Sequence, residues 1–482
     1  MAIKTREEYI ESLRKQKPKI YMLGEKVESV VDHPILGVGV NMNAQSCDFA
    51  CNPEFQKLAV VQSPYVNEEI SRWIHIPENA EDALAILRMM RECGGFCGVA
   101  CVYREVTGQT LLCALATAYD IDKKYGTKYY GRMVDFVKYV HKNDIAIGGA
   151  VTDGKGDRQL RPIEQPDPDM FLRVVDRRKD GIVVRGGKIH VTSGAYMNYQ
   201  LVGPIRLMQE DEKDYAVAFF TPIDAKGITI IVRGPETPAA WKDPADYPLS
   251  WNMSTVECLY VFDDVFVPNE LIFMDGQYDC IPTFGVSFYG HHMMAKCACI
   301  AANVDLKIGA TALAAETTNV DKAPHIIDNL TEMMMGAEIM WSCGVASAVQ
   351  GWKHESGVWF TDPLPCSAGK VYAAKRECLD QELMLSSVGG LGATMVSEKD
   401  YKNPETRKWI EKYYKGKVGV STEHRMKAYR LVADLTESEA AGWHHWIAIV
   451  GGAIPPELKE WVRMYYNLEK VKSRAKKLAG IE

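Results

Sequence analysis

The sequence predicts an α+β protein in three parts: an N-terminal helical domain (1–145), a central β-domain (146–277) and a C-terminal helical domain (278–482). Three observations carry this expectation. Apolar residues recur at three- and four-residue spacing before about residue 145 and again after Pro268. Between those regions, short runs rich in β-branched and aromatic residues alternate with Gly, Pro and Asp turn signals. The resulting order is helices, strands, helices, not the strand–helix alternation of a parallel dinucleotide-binding sheet.

The elements follow in order along the chain. ENAEDALAILRMMRECGGFCGV and the segment 109–142 carry the helical period of the first part. GIVVRGGKIHVTS, YAVAFFTPI, GITIIVRG and ECLYVFDDVFVP are the strand-like runs of the β-domain. Amphipathic stretches at 293–317, 324–351, 367–387, 422–450 and 456–478 fill the last part. No internal repeat, low-complexity tract or disordered linker is evident. At 482 residues the chain exceeds one compact core, so several packed regions are expected. The long, strongly apolar C-terminal region also suits helices that pack across subunits.

Composition bounds the function classes. With 47% hydrophobic and 25% charged residues, the chain reads as an ordinary soluble globular protein. A net charge of −7 argues against a nucleic-acid partner, which would need a basic face. No run reaches the roughly 18 consecutive apolar residues of a membrane span. The start, MAIKTREEYIESLRKQKPK, has no apolar signal core, so a cytoplasmic protein without a targeting peptide is expected. Thirteen cysteines in such a chain are small buried apolar residues for the most part, unless clustering indicates otherwise.

Two segments cluster. The first is Cys93-x3-Cys97-x3-Cys101-x3-Glu105. Positions four apart on a helix lie one above the other with about 40° of drift, so Cys97 with Cys101, or Cys101 with Glu105, can share a metal centre. Gly94 and Gly95 weaken the helix near Cys93. The second runs from Gly290 through His291 and His292 to Lys296, Cys297 and Cys299. His292 and Cys299 are two turns apart on one face with Lys296 between them, a thiolate–imidazole pairing suited to zinc or iron–sulfur chemistry. Taken singly, either segment equally fits a buried stripe of small residues.

Two further segments suit a cofactor. The loop Thr152-Asp153-Gly154-Lys155-Gly156-Asp157-Arg158 offers backbone amides and positive charge to a pyrophosphate, or is a solvated turn. Gly389-Gly390-Leu391-Gly392 is a helix C-cap or a close backbone approach to a cofactor. Its spacing does not match the G-x-G-x-x-G fingerprint.

The segments YIESLRKQKPKIYMLGEKVESVVDHP, AYDIDKKYGTKYY, TDGKGDRQLRP, DPDMFLRVVDRRKDGIVVRGGKIHVT, VFDDVFVPNELIF and IGATALAAE resemble the 4-hydroxybutyryl-CoA dehydratase/vinylacetyl-CoA isomerase family across nearly the whole chain. More remotely they resemble the flavin-dependent 4-hydroxyphenylacetate 3-monooxygenases. The resemblance implies an acyl-CoA-dehydrogenase-like fold, a homotetramer, an acyl-CoA substrate, FAD and a [4Fe–4S] cluster. The family's cluster histidine and last cysteine fall on His292 and Cys299, and the first cysteine of its C-x-Q-R-C-V motif on Cys101. The motif's second cysteine is Glu105 here. Cys97 supplying a thiolate, Glu105 ligating through oxygen, or loss of the cluster all remain open. Cys297 is a further donor. The preference of iron–sulfur clusters for thiolate favours the set Cys97, Cys101, His292 and Cys299.

Other positions depart from the family. Its tyrosine before the last cysteine is Lys296, its lysine after that cysteine is Ile300, and a late glutamate falls near Trp446. Glu257 and Thr192 match the family's glutamate and flavin-region threonine. The expected flavin contacts are therefore Thr152, Lys155, Asp157, Arg158, Thr192, Gly389 and Gly390, and the expected catalytic residues His292, Glu257 and Lys296. His292 is a base candidate, while Lys296 as base or cation stays open. Trp443 and Trp446 suggest a larger apolar acyl pocket. The expected activity is a radical lyase or isomerase on a hydroxyacyl- or enoyl-CoA. The alternatives are a cluster-free flavin monooxygenase and a non-catalytic flavin-binding relative. Which acyl group is bound, and whether the reaction is dehydration, isomerisation or oxidation, are open at this level.

Overall fold

The computed structural model describes residues 3–98, 103–234, 241–253 and 255–481. Helices α1 (Arg6–Arg14), α2 (Leu36–Cys51), α3 (Gln56–Ala59), α4 (Ala80–Cys97), α5 (Val106–Tyr125) and α6 (Tyr129–Asn143) build the first part. Local chemistry sets their ends. Asn79 caps α4 by accepting from the Asp82 amide, Glu81 and Asp82 sit in its positive first turn, and Gly98 closes it with φ 67°. Helix α5 is buried almost all round from Val106 to Ala118, so it is a core helix with no solvent face along that stretch.

Strands β1 (Ile20–Met22), β2 (Glu25–Val27), β3 (Val60–Gln62) and β4 (Glu69–Ser71) also lie in this part. They are three residues each, too short for a two-residue period to show in the sequence. The β-domain contains β5 (Ile147–Ala150), β6 (Thr152–Asp153), β7 (Arg173–Arg177), β8 (Gly181–Thr192), β9 (Tyr199–Val202), β10 (Val217–Pro222), β11 (Ile228–Arg233), β12 (Glu257–Pro268) and β13 (Ile272–Asp275). One sheet runs β2-β1-β11-β12-β8-β6 with β7 also paired to β8, and a second runs β13-β10-β9-β5. The β1–β2 hairpin thus joins the β-domain from outside its sequence range, with Ile20 parallel to Ile230. In the β8–β12 pairing, Glu257 lies directly opposite Thr192.

The last part holds α7 (Ile281–Glu316), α8 (Pro324–Val349), the short pair β14 (Trp352–Lys353) and β15 (Trp359–Phe360), and α9 (Pro363–Val388). Then follow α10 (Leu391–Thr394), α11 (Glu398–Lys402), α12 (Pro404–Tyr413), α13 (Thr422–Thr436), α14 (Glu439–Val450), α15 (Pro455–Tyr465) and α16 (Leu468–Leu478). The stretch 422–450 is two helices, not one, because Ser438 ends the first and caps α14 by accepting from the Ala441 amide. Helix α7 is the axis of the molecule and packs on α4, α5, α8, α9 and α13. It is long and apolar enough to cross a membrane, a length the sequence reading did not anticipate. Some 67% of its most apolar window is buried within the protein, as in the core helix of a soluble fold.

Candidate active site

Helix α7 carries His292, Lys296, Cys299, Asn303 and Lys307 at spacings of three and four, which puts five polar groups on one stripe of a buried helix. Burying polar groups is costly unless each is paired. Each of these has a partner from another element. His292 Nδ1 lies 3.0 Å from Gln109 Oε1, and its ring stacks on Phe288 at 5.9 Å and 5°. Burial, reinforced by the charges of Lys296 and Lys370, holds its pKa well below the usual histidine value. The imidazole is therefore neutral. With Nδ1–H donating to Gln109, Nε2 keeps the lone pair.

One turn on, the Lys296 ammonium stands 3.6 Å from Glu105 Oε1, and the Cys299 thiol donates to Glu105 Oε2 at 3.1 Å. Glu105, Lys296 and Cys299 are 3%, 2% and 1% exposed. Arg104 anchors the turn that presents Glu105. Its buried guanidinium pairs with Asp144 and lies 3.0 Å from Cys47 Sγ. Further along, Asn303 Nδ2 approaches His444 Nδ1 at 3.2 Å, and burial, then Lys307 and Lys296, push that histidine down to about 4. Lys307 forms a 2.7 Å buried ion pair with Glu377, which Gln381 also approaches at 3.3 Å.

The β-domain contributes Glu257 and Thr192, paired across β12 and β8. Thr192 Oγ1 is 3.0 and 2.9 Å from the two Glu257 carboxylate oxygens and donates to them. Burial raises the Glu257 pKa, while hydrogen bonds from Thr192 and Trp443 and the charges of Arg233 and Lys296 act against the rise. Lys296 is thus felt by both Glu105 and Glu257. The segment after α14 covers His292: a Cβ at Gly452 (φ 82°) would lie 2.9 Å from His292 Cδ2 and 2.3 Å from Met293 Cε. Only glycine permits that approach.

A small internal cavity lies on the far side of Glu105 and Gln109, walled by Trp73, His75, Met90 and Met294 among others. The Trp73 indole nitrogen, His75 Nδ1 and Gln109 Nε2 are buried there without a hydrogen-bond partner among the described groups, while His75 Nε2 and Glu105 Oε1 have longer contacts of 3.6 Å to Asp82 and Lys296. Buried polar atoms so placed are ordinarily met by ordered water.

The remaining expected residues fall elsewhere. Cys97 Sγ lies 3.5 Å from Cys93 Sγ at the end of α4, and it is Glu105 that contacts Cys299. Cys101 lies outside the described residues. Among the described residues no group of three or more His, Cys, Asp or Glu side chains is placed to hold a metal ion. Cys297 is buried in the core, 3.7 Å from the Cys366 carbonyl oxygen. Lys155, Asp157 and Arg158 are exposed on a loop whose Gly156 has φ 50°, and Asp157 accepts from the Gln159 amide at 2.9 Å. Thr152 begins β6, which pairs with β8. Gly389 caps α9 with φ 69° and ψ −169°, and no atom lies within 4 Å of where a Cβ would sit on it or on Gly390. Trp446 is 67% exposed, so it lines no acyl pocket within the chain, whereas Trp443 packs on the core and reaches Glu257. Gln109, Asn303 and His444 were not singled out from the sequence. Their signal was faint: Gln109 is one polar residue in an apolar helix, four places after Glu105.

The family model described as 4-hydroxyphenylacetate 3-hydroxylase N terminal matches residues 5–274, and its C-terminal counterpart matches residues 283–480. The chain is 33% identical over 488 residues to the 4-hydroxybutyryl-CoA dehydratase/vinylacetyl-CoA-Delta-isomerase of Clostridium aminobutyricum, with 99% of each sequence covered. A solved structure of an oxygen-tolerant archaeal 4-hydroxybutyryl-CoA dehydratase from N. maritimus matches with a TM-score of 0.94 and 33% identity, over 100% of this chain and 95% of the other. The oxygenase component of 4-hydroxyphenylacetate 3-monooxygenase, complexed with FAD, matches with a TM-score of 0.85 and 23% identity over 98% of each chain, a likeness of fold alone.

Proposed function

This chain belongs to the 4-hydroxybutyryl-CoA dehydratase/vinylacetyl-CoA isomerase family within the 4-hydroxyphenylacetate 3-hydroxylase-like flavoproteins, and on that premise we propose that it is a flavin-binding acyl-CoA lyase/isomerase. Its substrate is a short hydroxyacyl- or enoyl-CoA related to 4-hydroxybutyryl-CoA. The observation that carries this reading is the neutral His292 on α7, one turn from Lys296, whose charge also reaches Glu257. Acid–base work on a carbon next to a thioester needs those three roles: a base, a fixed positive charge and a second carboxyl group.

FAD, when bound, supplies one-electron and hydride chemistry that no side chain has. We assign its binding to Thr152, Lys155, Asp157, Arg158, Thr192, Gly389 and Gly390. The exposed Lys155 and Arg158 on a tight, Gly156-bent loop are a chemically suitable cradle for a pyrophosphate. An iron–sulfur cluster does not fit the described side chains in the same way. Where the family has a thiolate, the Glu105 carboxylate is engaged by the Cys299 thiol and faces the Lys296 ammonium.

Within the site, Gln109 holds His292 so that Nε2 is the atom able to take the α-proton. Lys296 places positive charge where negative charge develops, and Glu257, oriented by Thr192 and Trp443, receives or returns a proton. A homotetramer accords with the exposed apolar side chains of Met464, Tyr466, Leu468 and Leu478 at the C-terminal end. A cytoplasmic location goes with the same reading.

The test is direct. FAD-loaded protein is assayed with 4-hydroxybutyryl-CoA and vinylacetyl-CoA for 2-butenoyl-CoA. Turnover that falls about 10²–10⁴-fold in His292→Asn supports the assignment of the base. No turnover of either thioester by flavin-loaded protein refutes the reading. The unsuitable donor set is the one observation that favours a cluster-free monooxygenase instead, and oxygen consumption with 4-hydroxyphenylacetate and reduced flavin would establish that.

A further inference from the structure

We infer that the Glu105–Lys296 ion pair stands in this chain where a cluster's ligand would be, leaving an enzyme that shifts a proton along a 3-enoyl-CoA and does not expel hydroxide from a 4-hydroxyacyl-CoA. The inference rests on the acyl-CoA reading above.

The geometry is specific. The two carboxylate oxygens of Glu105 are divided between two α7 groups, one toward the Cys299 thiol at 3.1 Å and one toward the Lys296 ammonium at 3.6 Å. All three side chains are buried, so this is an internal arrangement and not a surface contact. By the family resemblance, two of them stand at changed positions: Glu105 where a cysteine is expected and Lys296 where a tyrosine is expected. Carboxylate and ammonium are complementary charges, and neither alone would be stable in this position. A paired replacement of this kind rebuilds a site. Iron–sulfur clusters are held by thiolates and, less often, imidazole; positions 105 and 296 offer neither, which among the described residues leaves Cys299 and His292 as the thiol and imidazole of the site.

The chemistry separates the two half-reactions that the relative's name joins. In the proton shift, the C2–H bond breaks and its electron pair becomes the new C2=C3 bond. The former C3=C4 pair forms a C4–H bond with a returned proton. Atoms and charge balance without oxidant, reductant or leaving group. His292 Nε2 and the Glu257 carboxyl group are sufficient for the two proton movements, with Lys296 countering the charge between them. In the dehydration, a C4–O bond must break while an unactivated C3–H is lost, and the departing hydroxide needs a strong electrophile. In the rebuilt position the Lys296 ammonium is tempered by its counterion Glu105, and the Cys299 thiol already donates to the same carboxylate.

The deciding experiment is iron and acid-labile sulfide per subunit, measured on protein purified without oxygen and again after incubation with ferrous iron, sulfide and thiol. The expected result is less than about half an iron per subunit with no broad absorbance near 400 nm. About four irons and four sulfides, as for a [4Fe–4S] site, would overturn the inference whatever the activity. The reverse construction is Glu105→Cys with Lys296→Tyr. Uptake of iron and sulfide by this variant and not by the parent supports the replacement directly, and equal uptake by both refutes it. Should the variant not fold, the parent's iron content still decides. Activity separates the two levels: vinylacetyl-CoA turned over at least about 10³-fold faster than 4-hydroxybutyryl-CoA is expected, and comparable rates refute the inference. If neither thioester reacts, the acyl-CoA reading fails while the iron measurement still tests the ion pair.

Discussion

Lys296→Met removes the charge at the centre of the site while keeping an unbranched apolar stem. Glu105, 3% exposed, then loses the cation 3.6 Å away and keeps the Cys299 thiol as a donor at 3.1 Å. Breaking a buried ion pair from one side costs about 3–5 kcal/mol, because a charge is left in a medium that solvates it poorly. An unfolding entropy of about 2.1 cal/mol/K per residue, over the 482 residues of this chain, gives about 1.0 kcal/mol/K. The expected fall in Tm is therefore about 3–5 °C. Glu105→Gln removes the carboxylate charge beside Lys296 instead and is expected to lower Tm by a similar amount. The double variant removes both charges and should return to within about 2 °C of the parent, since neutral replacements of buried pairs are often well tolerated. The assay is differential scanning calorimetry at pH 7 with saturating FAD, analysed as a double-mutant cycle. Additive losses in the double variant, equivalent to a coupling below about 0.5 kcal/mol, would mean that the two groups do not interact in the folded protein.

Other perturbations test separate parts of the structure. Burial pushes His141, His291 and His444 down to about 4 from a usual value of 6.5. Because their folded values are depressed, the unfolded chain takes up protons first, and stability should fall as pH drops from about 6.5 toward 4. The slope is up to about 1.4 kcal/mol per pH unit for each group. Glu257, whose pKa burial raises, acts in the opposite sense, so thermal denaturation across this window should still show a net acid loss. His444→Gln should flatten that slope, with His141, His291 and His292 continuing to contribute. Gly452→Ala must move Met293 or His292 and adopt a left-handed backbone, so a fall in kcat of at least about tenfold is expected with little change in FAD content. Gly108→Ala would place a Cβ 2.4 Å from the His75 carbonyl oxygen, and a stability loss of about 1–3 kcal/mol in urea titration is expected from the forced separation of α5 from that segment. Trp443→Phe removes one donor to Glu257, and kcat/KM should drop about tenfold, in line with loss of one hydrogen bond to a charged group.

Periodicity and turn chemistry were enough to read the α+β class, the change of texture near residue 146 and the long helices of the last part. These depend on neighbours along the chain. The quoted segments also carried the family resemblance, which holds across the whole length. The stripe of His292, Lys296 and Cys299 was legible because all three lie on one helix, where spacing alone fixes the face. The β1–β2 hairpin was not, since its strands pair with β11 some two hundred residues away.

What the sequence by itself determined, then, is which residues share a helix face, and through the family resemblance it marked Glu105 and Lys296 as expected departures. What only the tertiary structure decided is that those two departures meet. Helix α5 is preceded by a turn anchored through Arg104 on Asp144, and that anchoring, not any local propensity, carries Glu105 onto Cys299 and beside Lys296. It also decided that Gln109 orients His292, that Trp443 faces Glu257 while Trp446 faces solvent, and that Cys97 sits with Cys93. Contacts between residues nearly two hundred positions apart depend on how α5, α7 and α14 pack, and packing is a property of the assembled core that no window of sequence contains.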